Sequence, residues 1–135
     1  MSRIPIIYCG AHPDLCNRIA ELIADKYEVV HIANTRATAV AELPALLKGE
    51  NVKPASGLGS QSGALPVAAV VGGAFTNEDL EAAKAACDPV KQIPWFKKVP
   101  AGPGAPLAEV LAKGISEKLS EEFKSGLPAP GVYWW

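Results

Sequence analysis

Four short apolar runs, separated by stretches with helical spacing, constrain this chain more than any other feature. Ile4–Cys9, Glu28–Ile32, Val67–Val71 and Val90–Phe96 read as strands. After the first, Leu15, Ile19, Leu22 and Ile23 recur at i, i+4, i+7 and i+8, one face of a helix. Pro13 suits its opening turn, because the N–H that proline lacks has no intrahelical partner there. Val40, Leu43, Leu46 and Leu47 mark a second helix, which Pro44 is expected to kink or divide, at a cost of about 3 kcal/mol. Thr76 with Asp79 reads as a capping box ahead of Leu80, Ala83 and Cys87. Leu107, Leu111, Ile115, Leu119 and Phe123 then recur every fourth residue, and Gly126 supplies a stop.

Strand and helix alternating four times predict an α/β fold with parallel strands, right-handed crossovers and helices on both faces. Val67–Val71 is apolar at every position, as a central strand buried on both faces should be. Lys91, Gln92 and Pro94 place the fourth strand at an edge. The expected architecture is one domain over 1–135, a three-layer Rossmann-like or flavodoxin-like fold with four strands in the order 2-1-3-4. Two segments stand outside the alternation. Residues 49–66 are rich in Gly and Ser and read as a flexible loop, and 131–135 (GVYWW) form an aromatic tail. The stretch VPAGPGAP, 99–106, reads as the loop before the last helix.

Several function classes recede on composition. A formal charge of −1 creates no global field for nucleic acid or an anionic membrane. No apolar run approaches the roughly 20 residues that span a bilayer. The opening MSRIPIIYCG lacks a secretory h-region and reads as the lead-in to a strand. Three cysteines, Cys9, Cys16 and Cys87, are too few and too odd for a disulfide framework, so reduced thiols and a cytoplasmic setting are expected.

A ligand of such a sheet sits outside the carboxyl ends of its strands, where the strand order reverses. For the order 2-1-3-4 that place lies between the first and third strands. The expected lining is Gly10, Ala11 and His12 from one tip and Gly72, Gly73, Phe75 and Thr76 from the other, with Asn34 and Arg36 alongside. Glycine allows close backbone approach, and two helix N-termini aimed at one crevice favour an anion or a nucleotide-like group. Lys97 and Lys98 flank this edge. SGLGSQSG, 56–63, has the composition of a phosphate loop but neither follows a strand directly nor opens a helix, so a linker is the better reading.

No reaction is legible. Cys9, His12, Asp14 and Cys16 lack the paired spacing of a zinc site, and no metal is expected. A Cys9–His12 nucleophilic pair competes with a buried cysteine that only packs. His31, inside a strand, reads as a structural histidine. No catalytic residue and no cofactor can be named.

Three resemblances bear on function. The run Ile6–Ile32 resembles a response-regulator receiver domain, but Cys9-Gly10-Ala11-His12 stands where receivers carry paired acids and Gly72-Gly73-Ala74 where they carry the phosphoacceptor. This resemblance implies a non-catalytic interaction module. The same run resembles the first half of a dinucleotide-binding Rossmann domain, with Gly10 alone from its glycine motif and Arg36 suited to a 2′-phosphate. From IPIIYCG to GVYWW the whole chain is similar to small uncharacterised fungal Rossmann-like proteins, a likeness that brings no activity with it. Tyr133, Trp134 and Trp135 are expected to pack on the domain's own surface or sheet edge, with a homodimer contact as a secondary role.

Overall fold

The structure, a computed structural model, describes residues 3–99 and 107–135. Its elements are β1 (Ile4–Cys9), α1 (Pro13–Leu22), β2 (Tyr27–Ala33), α2 (Arg36–Leu47), β3 (Ala68–Val71), α3 (Asn77–Cys87), β4 (Pro94–Lys97), α4 (Ala108–Glu122) and β5 (Gly131–Trp134). All neighbouring strands pair in parallel, in the order β2-β1-β3-β4-β5. The α/β alternation and the 2-1-3-4 arrangement therefore stand, with a fifth strand added.

The side-chain alternation of the strands divides the core between the two faces of the sheet. Ile6, Tyr8, Val70 and Phe96 pack with Cys16 and Ile19 of α1 and with Leu111, Ile115 and Leu119 of α4. Ile7, Cys9, Ala69, Val71 and Trp95 pack with Leu43 and Leu47 of α2 and with Leu80, Ala83 and Cys87 of α3. Strands buried on both faces need apolar residues at successive positions, which is why VAAVV carries no polar residue.

Three expectations about the strands are corrected, and one about α2 is narrowed. The aromatic tail covers the fourth-strand edge, as expected, but does so as a fifth strand: Pro94, Trp95, Phe96 and Lys97 pair with Gly131, Val132, Tyr133 and Trp134. This makes β4 an interior strand rather than an edge. Proline is tolerated there because Pro94 is the first residue of the strand. Residues 90–93, read as part of that strand, are irregular instead, because the N–H groups of Val90 and Lys91 turn back to the Cys87 carbonyl. Pro44 does not divide α2 or open another helix, since α2 runs through it to Leu47. The carbonyl it leaves without an intrahelical donor belongs to Val40, on the exposed side, where water can reach it. The proline-rich stretch at 100–106 lies outside the described residues.

The two sheet edges differ. β2 carries a bulge: Ile6 pairs with Val29 and Ile7 with His31, which leaves Val30 as the extra residue. The 49–66 segment lies along this edge. Ser60 and Gln61 donate their N–H groups to the Val29 and Val30 carbonyls at 2.9 and 3.1 Å, and Ser56 Oγ donates to the Ile32 carbonyl at 2.6 Å. Gly59 makes the approach possible, because a Cβ there would lie 2.6 Å from the Val30 oxygen. At the other edge β5 is fastened from above. Phe96 stacks on Tyr133 at 5.0 Å, the Trp135 indole N–H donates to the Phe96 carbonyl at 3.1 Å, and the Lys98 ammonium lies 5.2 Å over the Trp135 ring.

Among the described residues no helix is long and apolar enough to cross a membrane. Because β5 covers Phe96, a chain ending at Pro130 is expected to lose about 3 kcal/mol or more of stability, the scale of removing a large buried aromatic. Urea unfolding of both proteins measures this, and equal midpoints would contradict it.

Candidate functional site at the carboxyl edge of the sheet

Parallel crossovers bring the expected tips together. The Gly72 N–H donates to the Cys9 carbonyl at 2.8 Å, and a Cβ on Gly72 would lie 3.8 Å from the Gly10 Cα. Gly10 and Gly72 therefore sit side by side at the point where the strand order reverses. Their amides are already used, since the Gly10 N–H donates to the Ala33 carbonyl at 3.0 Å.

Gly10 has a packing reason of its own. A Cβ there would stand 2.6 Å from Cys16 Sγ and 2.8 Å from Cε1 of Tyr8. Tyr8 reaches along this tip toward Gly72, whose Cβ would be 3.4 Å from the tyrosine hydroxyl. Burial, with Cys16 and Cys9 nearby, pushes the Tyr8 phenol above its ordinary value of 10.0. It is a neutral hydroxyl at this tip.

The other residues expected at this edge fall into two groups. Asn34, Arg36, Phe75 and Thr76 are engaged within the protein. Asn34 Nδ2 donates to the Gly10 carbonyl at 2.7 Å and ties the tips of β1 and β2. Arg36 Nε donates to Asp79 Oδ1 at 2.6 Å, joining α2 to α3. Thr76 Oγ1 accepts from the Asp79 N–H at 3.1 Å, while Asp79 Oδ2 accepts from the Thr76 N–H at 2.9 Å. The Thr76 N–H, then Arg36, hold the Asp79 carboxyl below its ordinary 3.8. Phe75 is buried among Leu80, Val71 and their neighbours. Ala11, His12 and Gly73 are exposed.

The helix N-termini differ in the same way. Thr35 and Thr38 cap α2, and Thr76 and Asp79 cap α3. His12 gives α1 no side-chain cap, and Pro13 has no N–H to offer. The first turn of α1 thus keeps its remaining orphan N–H groups, with the partial positive charge of a helix start, next to Gly10.

Lys97 is the residue that the expected lining lacked. It ends β4, its side chain is 1% exposed, and Nζ donates to the Gly72 carbonyl at 3.2 Å and the Lys98 carbonyl at 3.0 Å. Among the described residues no carboxylate forms an ion pair with it. Burial, then the neighbouring Lys98 charge, lowers its pKa below the ordinary 10.5, and Asp79 offsets only part of this from a distance. A buried cation costs stability unless an anion compensates it. The sign follows: the unfolded chain holds this proton more tightly, so stability rises with pH between the folded value and 10.5, and the cost is full below that window. The available signal was a lysine directly after the apolar Trp95-Phe96, where a strand end meets the switch point.

Thiol chemistry is suppressed here. Burial pushes Cys9 well above its ordinary value, Cys16 up to about 11 and Cys87 up to about 12, so all three are protonated at neutral pH. A Cys9–His12 pair has no thiolate to work with. Among the described residues no three His, Cys, Asp or Glu side chains gather as a metal site.

No protein-family model matches the chain, and no solved structure matches it. Among curated proteins it is similar to Kojic acid related protein 6 of Aspergillus oryzae (strain ATCC 42149 / RIB 40). The two are 29% identical over 133 residues, which cover 91% of this chain and 80% of that protein. A fungal relative agrees with the organism group in the whole-chain resemblance. The match says nothing of Rossmann-like or receiver kinship.

Proposed function

We propose that this is a small Rossmann-like cytoplasmic protein that binds a small anionic or nucleotide-like ligand at the carboxyl edge of its sheet. One observation carries the reading: the buried ammonium of Lys97 is held by two neutral carbonyls, and among the described residues no carboxylate pairs with it. A phosphate or carboxylate beside Gly72 would supply that charge through a charge-assisted hydrogen bond. The uncapped first turn of α1 beside Gly10, together with Ala11, His12 and Gly73, would face it from the neighbouring tip. In this reading Asn34, Arg36 and Thr76 shape the rim and leave the charge to Lys97. The anchor binds and need not react, so no catalytic step is assigned. The relative's name connects that protein with kojic acid, which adds one compound to the ligands worth trying.

The test is thermal stabilisation with orthophosphate, AMP, NAD, NADP, FMN, acetate and kojic acid, on the natural chain and on Lys97→Met. A ligand at 100 times its Kd adds about 2.7 kcal/mol. At least one anion is expected to raise the Tm of the natural chain, and Lys97→Met should weaken that ligand about tenfold or more, the scale of one charged hydrogen bond. No shift with any compound would overturn the reading, and so would an equal response from the variant.

A second reading, an interaction module acting as a homodimer, has its own observation. Trp135 donates to the Lys97 carbonyl and accepts from the Val99 N–H, so its backbone faces β4. By alternation Val132 and Trp134 turn their N–H and C=O groups outward, and their side chains are 37% and 47% exposed. Two such edges related by a two-fold axis would pair antiparallel, Val132 against Trp134 of the second copy. Light scattering should then give the mass of two chains, falling to one for Trp134→Lys, since lysine blunts an edge. A monomeric natural chain would remove this reading.

A further inference from the structure

The second feature with the makings of a site lies away from the carboxyl edge, along the outer side of β2. A cavity of about 240 Å³ opens between β2, the end of α2 and the two limbs of the 49–66 segment. Val30 and His31 form its strand wall, and Leu46, Asn51, Gln61 and Leu65 line it from the helix and the segment.

Three observations distinguish it from a gap under a loop. Backbone bonds from Ser60 and Gln61 draw the later limb of the segment onto β2 at Val29 and Val30, which fixes that wall. Gln61 has a φ of 52°, and among the described residues it is the one non-glycine residue in the left-handed region. Such a conformation persists only where its surroundings over-determine it, and it clusters at functional sites.

The third observation is a buried histidine with one nitrogen committed. His31 is 1% exposed, and its Nε2 lies 2.7 Å from Glu42 Oε1. The other Glu42 oxygen accepts the Ala55 N–H at 3.1 Å, which fixes the carboxylate between strand and loop. A carboxylate only accepts, so Nε2 carries the proton and donates. In the neutral imidazole Nδ1 is then an acceptor, and among the described residues no group donates to it. The arrangement matches the orienting half of a histidine–carboxylate pair, on a residue that lines the cavity.

We propose that this cavity binds a small, uncharged, ring-containing molecule through a hydroxyl that donates to Nδ1 of His31. The hydroxyl is what the free acceptor lacks. The ring suits Leu46 and Leu65, and the amides of Asn51 and Gln61 can meet further polar groups. Glu50 at the wall disfavours an anion, which sets this site apart from the Lys97 edge. Glu42 is a positioning residue: it sets which nitrogen of His31 carries the proton.

Phenol and anisole are the probes, since they share a ring and differ in whether the oxygen carries a proton. The readout is the imidazole nitrogen signals of 15N-labelled protein during titration, with His12, exposed at the far edge, as internal control. Phenol is expected to move the His31 Nδ1 signal, leave His12 in place and bind about tenfold more tightly than anisole, the worth of one net hydrogen bond. Glu42→Gln frees the tautomer and should bring the two probes to parity. Leu65→Trp, at a half-exposed position, fills the cavity and should abolish both responses if Glu42→Gln does not fold. The proposal is overturned if phenol leaves His31 unmoved, if the probes bind the natural chain equally, or if binding survives in Leu65→Trp. Orthophosphate stabilisation at Lys97 is independent of all three outcomes.

Discussion

The hydrogen bond from the Gly72 N–H to the Cys9 carbonyl, 2.8 Å long, sets the terms for everything at the carboxyl edge. It extends the β1–β3 pairing past the last apolar residues and locks the two tips in contact. Parallel strands make this possible because both chains leave the sheet at the same end. The same bond removes Gly72 as an anion donor, as the bond to Ala33 removes Gly10. The tips therefore form a scaffold, and in the proposed reading the charge for an anion comes from beside them. Lys97 on one flank and the uncapped start of α1 on the other are the groups in that position.

A parallel sheet this small has a second constraint, its two edges. At β2 the protein uses a bulge, a tight glycine at 59 and the backbone of residues 60 and 61. That solution creates the His31 cavity, because the segment touches the strand at a few points and spans the space between them. At β5 the edge is made by aromatic residues: Tyr133 stacks on Phe96, and Trp135 lies on Gly114 of α4, where a Cβ would be 3.4 Å from its ring. Here the cover is the strand itself, and its outer side stays open among the described residues. Each edge thus carries a functional reading, one for a small molecule and one for a second copy.

Four strands, four helices and their order were legible because each element repeats a period over enough residues to register. β5 was not. Five residues with three adjacent aromatics show no alternation to mark them as a strand. The meeting of the two tips was legible from topology alone, since the crossover rule needs only the element order. The roles around them were harder to see. Arg36 and Asp79 are 43 residues apart and meet only once α2 and α3 lie side by side. Gly10 looks like a ligand glycine until Tyr8 and Cys16 are found occupying its side. The buried state of Lys97 depends on a strand running one residue past Phe96, and boundaries are what sequence patterns define least well.

The central claim is that Lys97 is a buried cation waiting for an anion. Its Nζ signal, followed by NMR as pH is raised with and without orthophosphate, tests this most directly. Without the anion the ammonium should lose its proton below the ordinary 10.5, because burial and Lys98 both disfavour its charge. With phosphate bound beside Gly72 the same titration should move upward, since the charged form gains a partner. A Lys97 that titrates identically in both solutions would contradict the account.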